Sequence, residues 1–272
     1  MGEDRIYMDN AATSWPKPRD VVLAMERCCS RMLANPGRAA HGPANEAARI
    51  VYSAREAVAE LFNAPDPLRI AFGQNVTWAL NTVLAGMLRP GMRVVTTGVE
   101  HNAVMRPLRH LQTRGVDIAV APCHPDGSLD IETFEAEVGR GADIVVTTHA
   151  SNVLGTLMPV AHIGEITRQA GARYVLDSAQ TAGCVPIDMA ADNIDIVAFT
   201  GHKSLLGPMG TGGFVVGDRI TDTDIEPLIR GGTGSESELE HQPEFMPDRF
   251  ESGTPNVVGL AGLDEGMEGL RA

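Results

Sequence analysis

The chain has 272 residues, 43% of them apolar, which is enough to bury a sizeable core and too much for wholesale disorder. Its 35 acidic against 22 basic side chains leave a net charge of −13. That balance argues against a nucleic-acid partner, because such a surface needs clustered cations to displace phosphate counterions.

Pro16, Pro18, Pro36, Pro43, Pro65 and Pro67 punctuate the first stretch, in which residues 19–33 and 44–62 read as helices. This stretch, 1–66, is expected to be an arm or lead-in that packs outside a sheet. From about residue 68 the chain alternates short apolar runs with helical stretches: strand 68–72, helix 76–88, strand 93–97, helix 103–114, strand 116–121. Helix 130–138 follows with acidic residues in its first turn, then strand 143–148, helix 162–170, and strands 173–177, 195–200 and 212–216. Runs such as Ile144-Val145-Val146 and Tyr174-Val175-Leu176 are continuously apolar, the mark of strands covered on both faces. The alternation predicts right-handed βαβ units and an α/β fold, a three-layer αβα sandwich around a mainly parallel sheet. Beyond Asp218 the chain is irregular, with Gly231-Gly232-Thr233-Gly234 and the acidic stretch 236–244, before a last helix at 256–270.

No apolar run approaches the ~18 residues of a membrane span, and the opening Met-Gly-Glu-Asp-Arg-Ile lacks the basic start and apolar stretch of a secretory signal. Cys28, Cys29, Cys123 and Cys184 make neither a CxxC pair nor a zinc pattern. A reduced, cytoplasmic protein without a metal site, a membrane partner or a nucleic-acid partner is expected. Asn75-Val76-Thr77 matches a glycosylation acceptor, which is expected to be a coincidence in a protein read as cytoplasmic.

In an open α/β sheet, ligands bind beyond the carboxyl ends of the strands. Asp177 ends one apolar run; a carboxylate there can cap a helix, bind a metal or partner a basic nitrogen. Lys203, in Thr200-Gly201-His202-Lys203-Ser204, lies just past another strand and before the glycine-rich 207–213. It is either a solvated loop lysine or an amine made nucleophilic by desolvation. His101, after strand 93–97, offers a flat ring for stacking or proton transfer, or is an ordinary loop histidine. Asn75-Val76-Thr77 opens a helix, where free N–H groups, the helix dipole and the Thr77 hydroxyl suit a phosphate, or where the same residue types merely cap the helix. Together these four supply what pyridoxal 5'-phosphate (PLP) needs: a Schiff-base lysine, a carboxylate for the pyridine nitrogen, a stacking ring and a phosphate cradle. The Walker pattern fails because His202 precedes Lys203, and neither GxGxxG between strand and helix nor HExxH is present.

Six stretches in order carry a resemblance: Tyr7-Met8-Asp9-Asn10-Ala11-Ala12-Thr13, Glu100-His101, Ser151-Asn152-Val153-Leu154-Gly155, Asp177-Ser178-Ala179-Gln180, Thr200-Gly201-His202-Lys203 and Phe250-Glu251-Ser252-Gly253-Thr254-Pro255-Asn256. Over nearly its whole length the chain resembles the cysteine desulfurase/selenocysteine lyase group of the class V aminotransferases, PLP enzymes of fold type I. The resemblance implies that Lys203 bonds the cofactor, Asp177 pairs with its ring nitrogen, Gln180 contacts its ring hydroxyl and His101 stacks on it. It further implies phosphate contacts from Thr77, Thr200, His202 and the Val76 backbone, with Thr254 reaching the site of a second subunit in a homodimer. The same resemblance implies that Asn152 lies near both substrate and ring hydroxyl, and that Ala11 and Ala12 approach the substrate from the arm. The implied reaction converts L-cysteine to L-alanine and transfers the sulfur to a thiol, with a sulfur-acceptor protein as a further partner; some members prefer selenocysteine.

Two departures stand out. Trp78 occupies a position that is often acidic in the family. The small C-terminal domain of the family, which carries the nucleophilic cysteine and the arginine for the substrate carboxylate, falls beyond residue 272, and none of the four cysteines matches that nucleophile. The expected organisation is an N-terminal arm over 1–20, a PLP-binding large domain over 21–255 and, over 256–272, the start of a helix connecting to that C-terminal domain. Two alternatives stay open: a PLP-dependent lyase, epimerase or aminotransferase-like reaction on another amino acid, or a PLP-binding form without turnover.

Overall fold

The computed structural model describes residues 6–31, 34–36, 41–236 and 238–271. Among them, seven strands form one sheet: β1 (Ile70–Gly73), β2 (Arg93–Thr97), β3 (Asp117–Ala121), β4 (Ile144–Thr148), β5 (Arg173–Asp177), β6 (Ile196–Thr200) and β7 (Gly212–Val216). Their order is β1-β7-β6-β5-β4-β2-β3. The pairs from β6 through β5, β4 and β2 to β3 are parallel, while β7 runs antiparallel to both β6 and β1. The sheet is therefore mainly parallel, as the apolar runs predict, with an antiparallel margin that those runs do not reveal.

Side chains alternate between two faces, and each face buries its own helical layer. Val94, Ile144, Val146, Val175, Ile196, Ala198 and Phe214 point to the layer of α3 (Val76–Met87) and α4 (Asn102–Gln112). Val145, Tyr174, Leu176, Val197, Phe199 and Val215 point to the other layer. That layer holds α2 (Gly42–Phe62), α5 (Ile131–Gly139), α6 (Val160–Gln169) and α7 (Val257–Arg271). The expectation for 1–66 needs correcting here: Ala47, Val51, Ala54, Val58 and Phe62 make α2 part of the sandwich core. α1 (Arg19–Arg31) packs on α7, where Met25 lies close to Gly262 and Arg27 pairs with Glu265, and it adds Cys28 to the same core.

Local chemistry accounts for the element ends. Asn75, Asp130 and His101 cap α3, α5 and α4 by accepting backbone N–H groups of Trp78, Thr133 and Ala103. Asn63 ends α2 in the left-handed conformation at φ 48°. The first strand starts later than expected because Pro67–Arg69 forms a 3₁₀ turn, with Asp66 accepting from Leu68. The glycines of β7 are packing requirements: a side chain on Gly213 would meet the carbonyl oxygen of Ala71 at 2.2 Å.

The chain direction reverses between β2 and β4. From β2 it crosses to β3 on one side, then returns to β4 and proceeds to β5 and β6 on the other. The two strands share only Val94↔Ile144 and Val95↔Val145 before their carboxyl ends part. A crevice opens at such a switch point.

Candidate active site

Three strand ends supply this crevice with groups from distant parts of the chain. Asp177 is the last residue of β5, buried at 2% exposure, and one carboxyl oxygen accepts the Ala179 N–H at 2.9 Å. Burial pushes its carboxyl up, while His101 and Lys203 act in the opposite direction, so both sit within electrostatic reach. Lys203 follows β6; burial lowers its amine from the ordinary lysine value and Asp177 partly restores it. His101 caps α4 with Nδ1, which accepts the Ala103 N–H at 3.0 Å. The neutral ring therefore carries its proton on Nε2.

Glu100 adds a fourth group that sequence reading treats only as part of a motif. Its carboxyl accepts the Thr97 hydroxyl at 2.5 Å and the Thr148 N–H at 2.8 Å, and desolvation raises it to about 8, with Asp177 adding in the same direction. The two buried carboxyls raise one another, each favouring the proton-bound form of its neighbour.

Thr77 lies in the first turn of α3 and lines one groove with His101, Asn81 and Arg106. Asn75 spends its side chain capping Trp78, and Thr77 beside it is exposed. Thr200 is buried at 1% exposure and its hydroxyl has no partner. Gln180 donates to the Ala11 carbonyl at 3.1 Å, which brings Ala11 and Ala12 of the arm over the β5 end. Asn152 is exposed in the loop after β4. His202 holds Thr13 Oγ1 at 3.1 Å through Nδ1. Thr254 is exposed and lines a separate cavity with Gln74, Trp78 and Thr211.

The arrangement fits PLP. The orphaned Thr200 hydroxyl is a buried polar atom that a phosphate oxygen would satisfy. The buried Asp177 carboxyl has an oxygen to spare for a protonated ring nitrogen. The Lys203 amine is shifted towards its reactive neutral form. Among the described residues no group of three or more metal-ligating side chains comes together, and no helix is long and apolar enough to cross a membrane.

The unusual Trp78 is accommodated by a glycine. Its indole stacks on Phe214 at 5.8 Å between ring centroids and lies over Gly73, where an added side-chain carbon would stand 2.0 Å from the indole ring. Cys28 and Cys123 are pushed up by burial, away from a reactive thiolate, and Cys184 donates to the Gln180 carbonyl at 3.3 Å.

The chain is similar to proteins of one group. A profile of the family described as Aminotransferase class-V matches residues 6–272. A protein of Methanothermobacter thermautotrophicus named a probable cysteine desulfurase is 37% identical over 268 residues, 97% of this chain and 66% of its own length. One of Pyrococcus abyssi with the same name is 34% identical over 271 residues, 98% of this chain and 67% of its own length. Among solved structures, the apo structure of a cysteine desulfurase from Thermococcus onnurineus NA1 matches with a TM-score of 0.91 at 33% identity, over 98% of this chain and 67% of that one. The structure of SspA in complex with cysteine matches with a TM-score of 0.83 at 27% identity, over 96% of this chain and 72% of that one. The chain thus spans about two thirds of the length of these curated relatives.

Proposed function

From the premise that this chain belongs to the class-V aminotransferase family, we propose that it is the large, cofactor-binding part of a PLP-dependent cysteine desulfurase. The reaction is the conversion of L-cysteine to L-alanine with transfer of the sulfur to a thiol. The observation that carries this reading is the approach of His101 and Lys203, each following a different strand, to the buried Asp177 carboxyl, which feels the charge of both.

Bound there, PLP supplies an aldehyde for amine exchange and a ring that withdraws electrons from the substrate α-carbon. Lys203 would hold the cofactor through its amine and would carry the substrate α-proton. Its lowered proton affinity favours the neutral amine, the form that can act as a base. The Asp177 carboxyl would pair with the ring nitrogen and keep it protonated. His101 would stack on the ring face, with Nε2 left free to exchange a proton with the substrate. Gln180 and Asn152 would contact the ring hydroxyl, and Ala11 and Ala12 would cover the substrate side. Thr77, Thr200, His202 and the Val76 N–H would hold the phosphate at the α3 N-terminus, where the helix dipole favours an anion.

Thr254, exposed on its own cavity, is read as reaching the phosphate of a second subunit in a homodimer. Residues 256–272, which include α7, are read as the start of a connection to a small C-terminal domain. The sulfur-accepting thiol is assigned outside Cys28 and Cys123, whose burial opposes ionisation.

The test is the near-visible absorption spectrum of the chain with PLP, before and after borohydride, beside Lys203→Ala. A yellow band that reduction fixes to the chain, and that Lys203→Ala lacks, is expected. A wild-type chain that stays folded and colourless would overturn the cofactor assignment. Alanine released from L-cysteine by a chain extended through the C-terminal domain tests the reaction itself; keto acid or racemised product in place of alanine would exclude the desulfurase.

A further inference from the structure

The carbonyl oxygen of His202, in the peptide bond that leads into Lys203, draws four donors from one short piece of the arm. They are the Ser14 N–H at 3.1 Å, the Thr13 hydroxyl at 3.0 Å, the Ser14 hydroxyl at 3.1 Å and the Lys17 ammonium at 2.7 Å. A carbonyl has two lone pairs, so this oxygen is oversubscribed, and the shortest of the four contacts is the charged one.

Lys17 is itself unusual. It is half-buried, donates a second hydrogen bond to the Ser14 hydroxyl at 2.6 Å, and has no carboxylate within ion-pair distance among the described residues. Burial lowers its proton affinity and nothing acidic offsets that. A lysine drawn out of water without a counter-ion costs stability unless its hydrogen bonds serve something else. Surface anchoring of an arm would not need a buried cation, because Thr13 and Ser14 already tie the arm to the same oxygen.

We propose that Lys17 is a positioning residue for Lys203: by holding the His202 carbonyl it fixes the peptide plane before Lys203 and aims that side chain into the crevice beside Asp177. The proposal rests on the reading of Lys203 as the cofactor-bearing residue. The geometry explains the leverage. A peptide unit is planar, so gripping its oxygen also orients the N–H and α-carbon of the next residue. The other side of Lys203 is closed by a turn in which its carbonyl accepts the Leu206 N–H at 2.9 Å. With both flanking peptides held, the lysine side chain leaves the backbone in one direction. The arm thereby belongs to the cofactor-binding apparatus, although it joins the sheet across some 185 residues of sequence.

Two measurements on the full 272-residue chain test this. First, the rate at which PLP becomes trapped on Lys203 by borohydride is compared in wild type, Lys17→Met and Lys17→Arg. Losing one charge-assisted hydrogen bond predicts about a tenfold slower trapping in Lys17→Met, with most of the rate restored in Lys17→Arg. A merely structural arm contact would lower the melting temperature without this rescue. Second, amide exchange of wild type is followed with and without PLP reduced onto Lys203. Because coupling is reciprocal, fixing Lys203 must tighten the arm, and the Ser14 amide is expected to exchange about tenfold more slowly. This second measurement stands even if Lys17→Met does not fold. Wild-type trapping in Lys17→Met, or unchanged Ser14 exchange in the loaded chain, overturns the proposal. A wild-type chain that traps no PLP at all overturns the cofactor reading together with it.

Discussion

The carboxyl of Glu100, at the parting ends of β2 and β4, accepts the backbone N–H of Thr148. The two strands stop pairing after Val95↔Val145, and this side chain takes over where the ladder ends. It closes the floor of the crevice and places a second carboxyl beside Asp177.

Glu100 titrates near 8 in the folded chain against 4.5 when exposed. Its proton is thus bound more tightly in the folded state. The stability it contributes is complete below about pH 4.5 and is lost as pH rises through about 8. Glu100→Gln removes that slope. The melting temperature of the variant should gain on wild type steadily from about pH 5 to about pH 9. A constant gap across the range would mean that Glu100 is ionised throughout.

Gly73 exists because Trp78 does. Gly73→Ala places a carbon within 2.0 Å of an indole that stacking on Phe214 keeps from moving aside. A loss of about 1–3 kcal/mol is expected from overpacking. Trp78→Leu should relieve most of it, so a double-mutant cycle by urea unfolding reads strong coupling. Additive losses would place the strain elsewhere.

Arg55 is buried and donates to the Ile70 carbonyl and to Glu251, which also accepts the Phe72 N–H at 2.6 Å. The same guanidinium lies 4.9 Å from the centre of the Phe72 ring. This network ties α2, β1 and the segment carrying Thr254 together. Arg55→Met leaves Glu251 buried without its partner and should cost about 3–5 kcal/mol. Glu251→Gln keeps an acceptor for Phe72 and should cost clearly less. Equal losses in the two variants would refute the ordering.

Asp177→Asn keeps the shape of the β5 end and the acceptor for Ala179 but removes the charge. On the proposed reading, trapped PLP should still form on Lys203 while turnover of L-cysteine by the extended chain falls by about 10²–10³-fold. Unaltered turnover would remove Asp177 from the mechanism.

Most of the layered fold is legible in the sequence because its cause is local. Runs such as Ile144-Val145-Val146 must be covered on both faces, and β2, β5 and β7 begin and end where their apolar runs do. The position of Asp177 at a strand end is legible for the same reason, since a polar residue closing a buried strand has one end of the sheet to occupy. Periodicity alone could not say that β7 and β1 run antiparallel, because a buried strand reads the same in either direction. Nor could it place α2 in the sandwich, since six prolines nearby suggest an arm more strongly than its apolar stripe suggests a core helix. The Glu100 bridge and the grip of Lys17 on His202 were decided by tertiary structure alone. Each ends on a backbone group, and every residue has the same N–H and carbonyl, so no residue type marks in advance where such a bond will land.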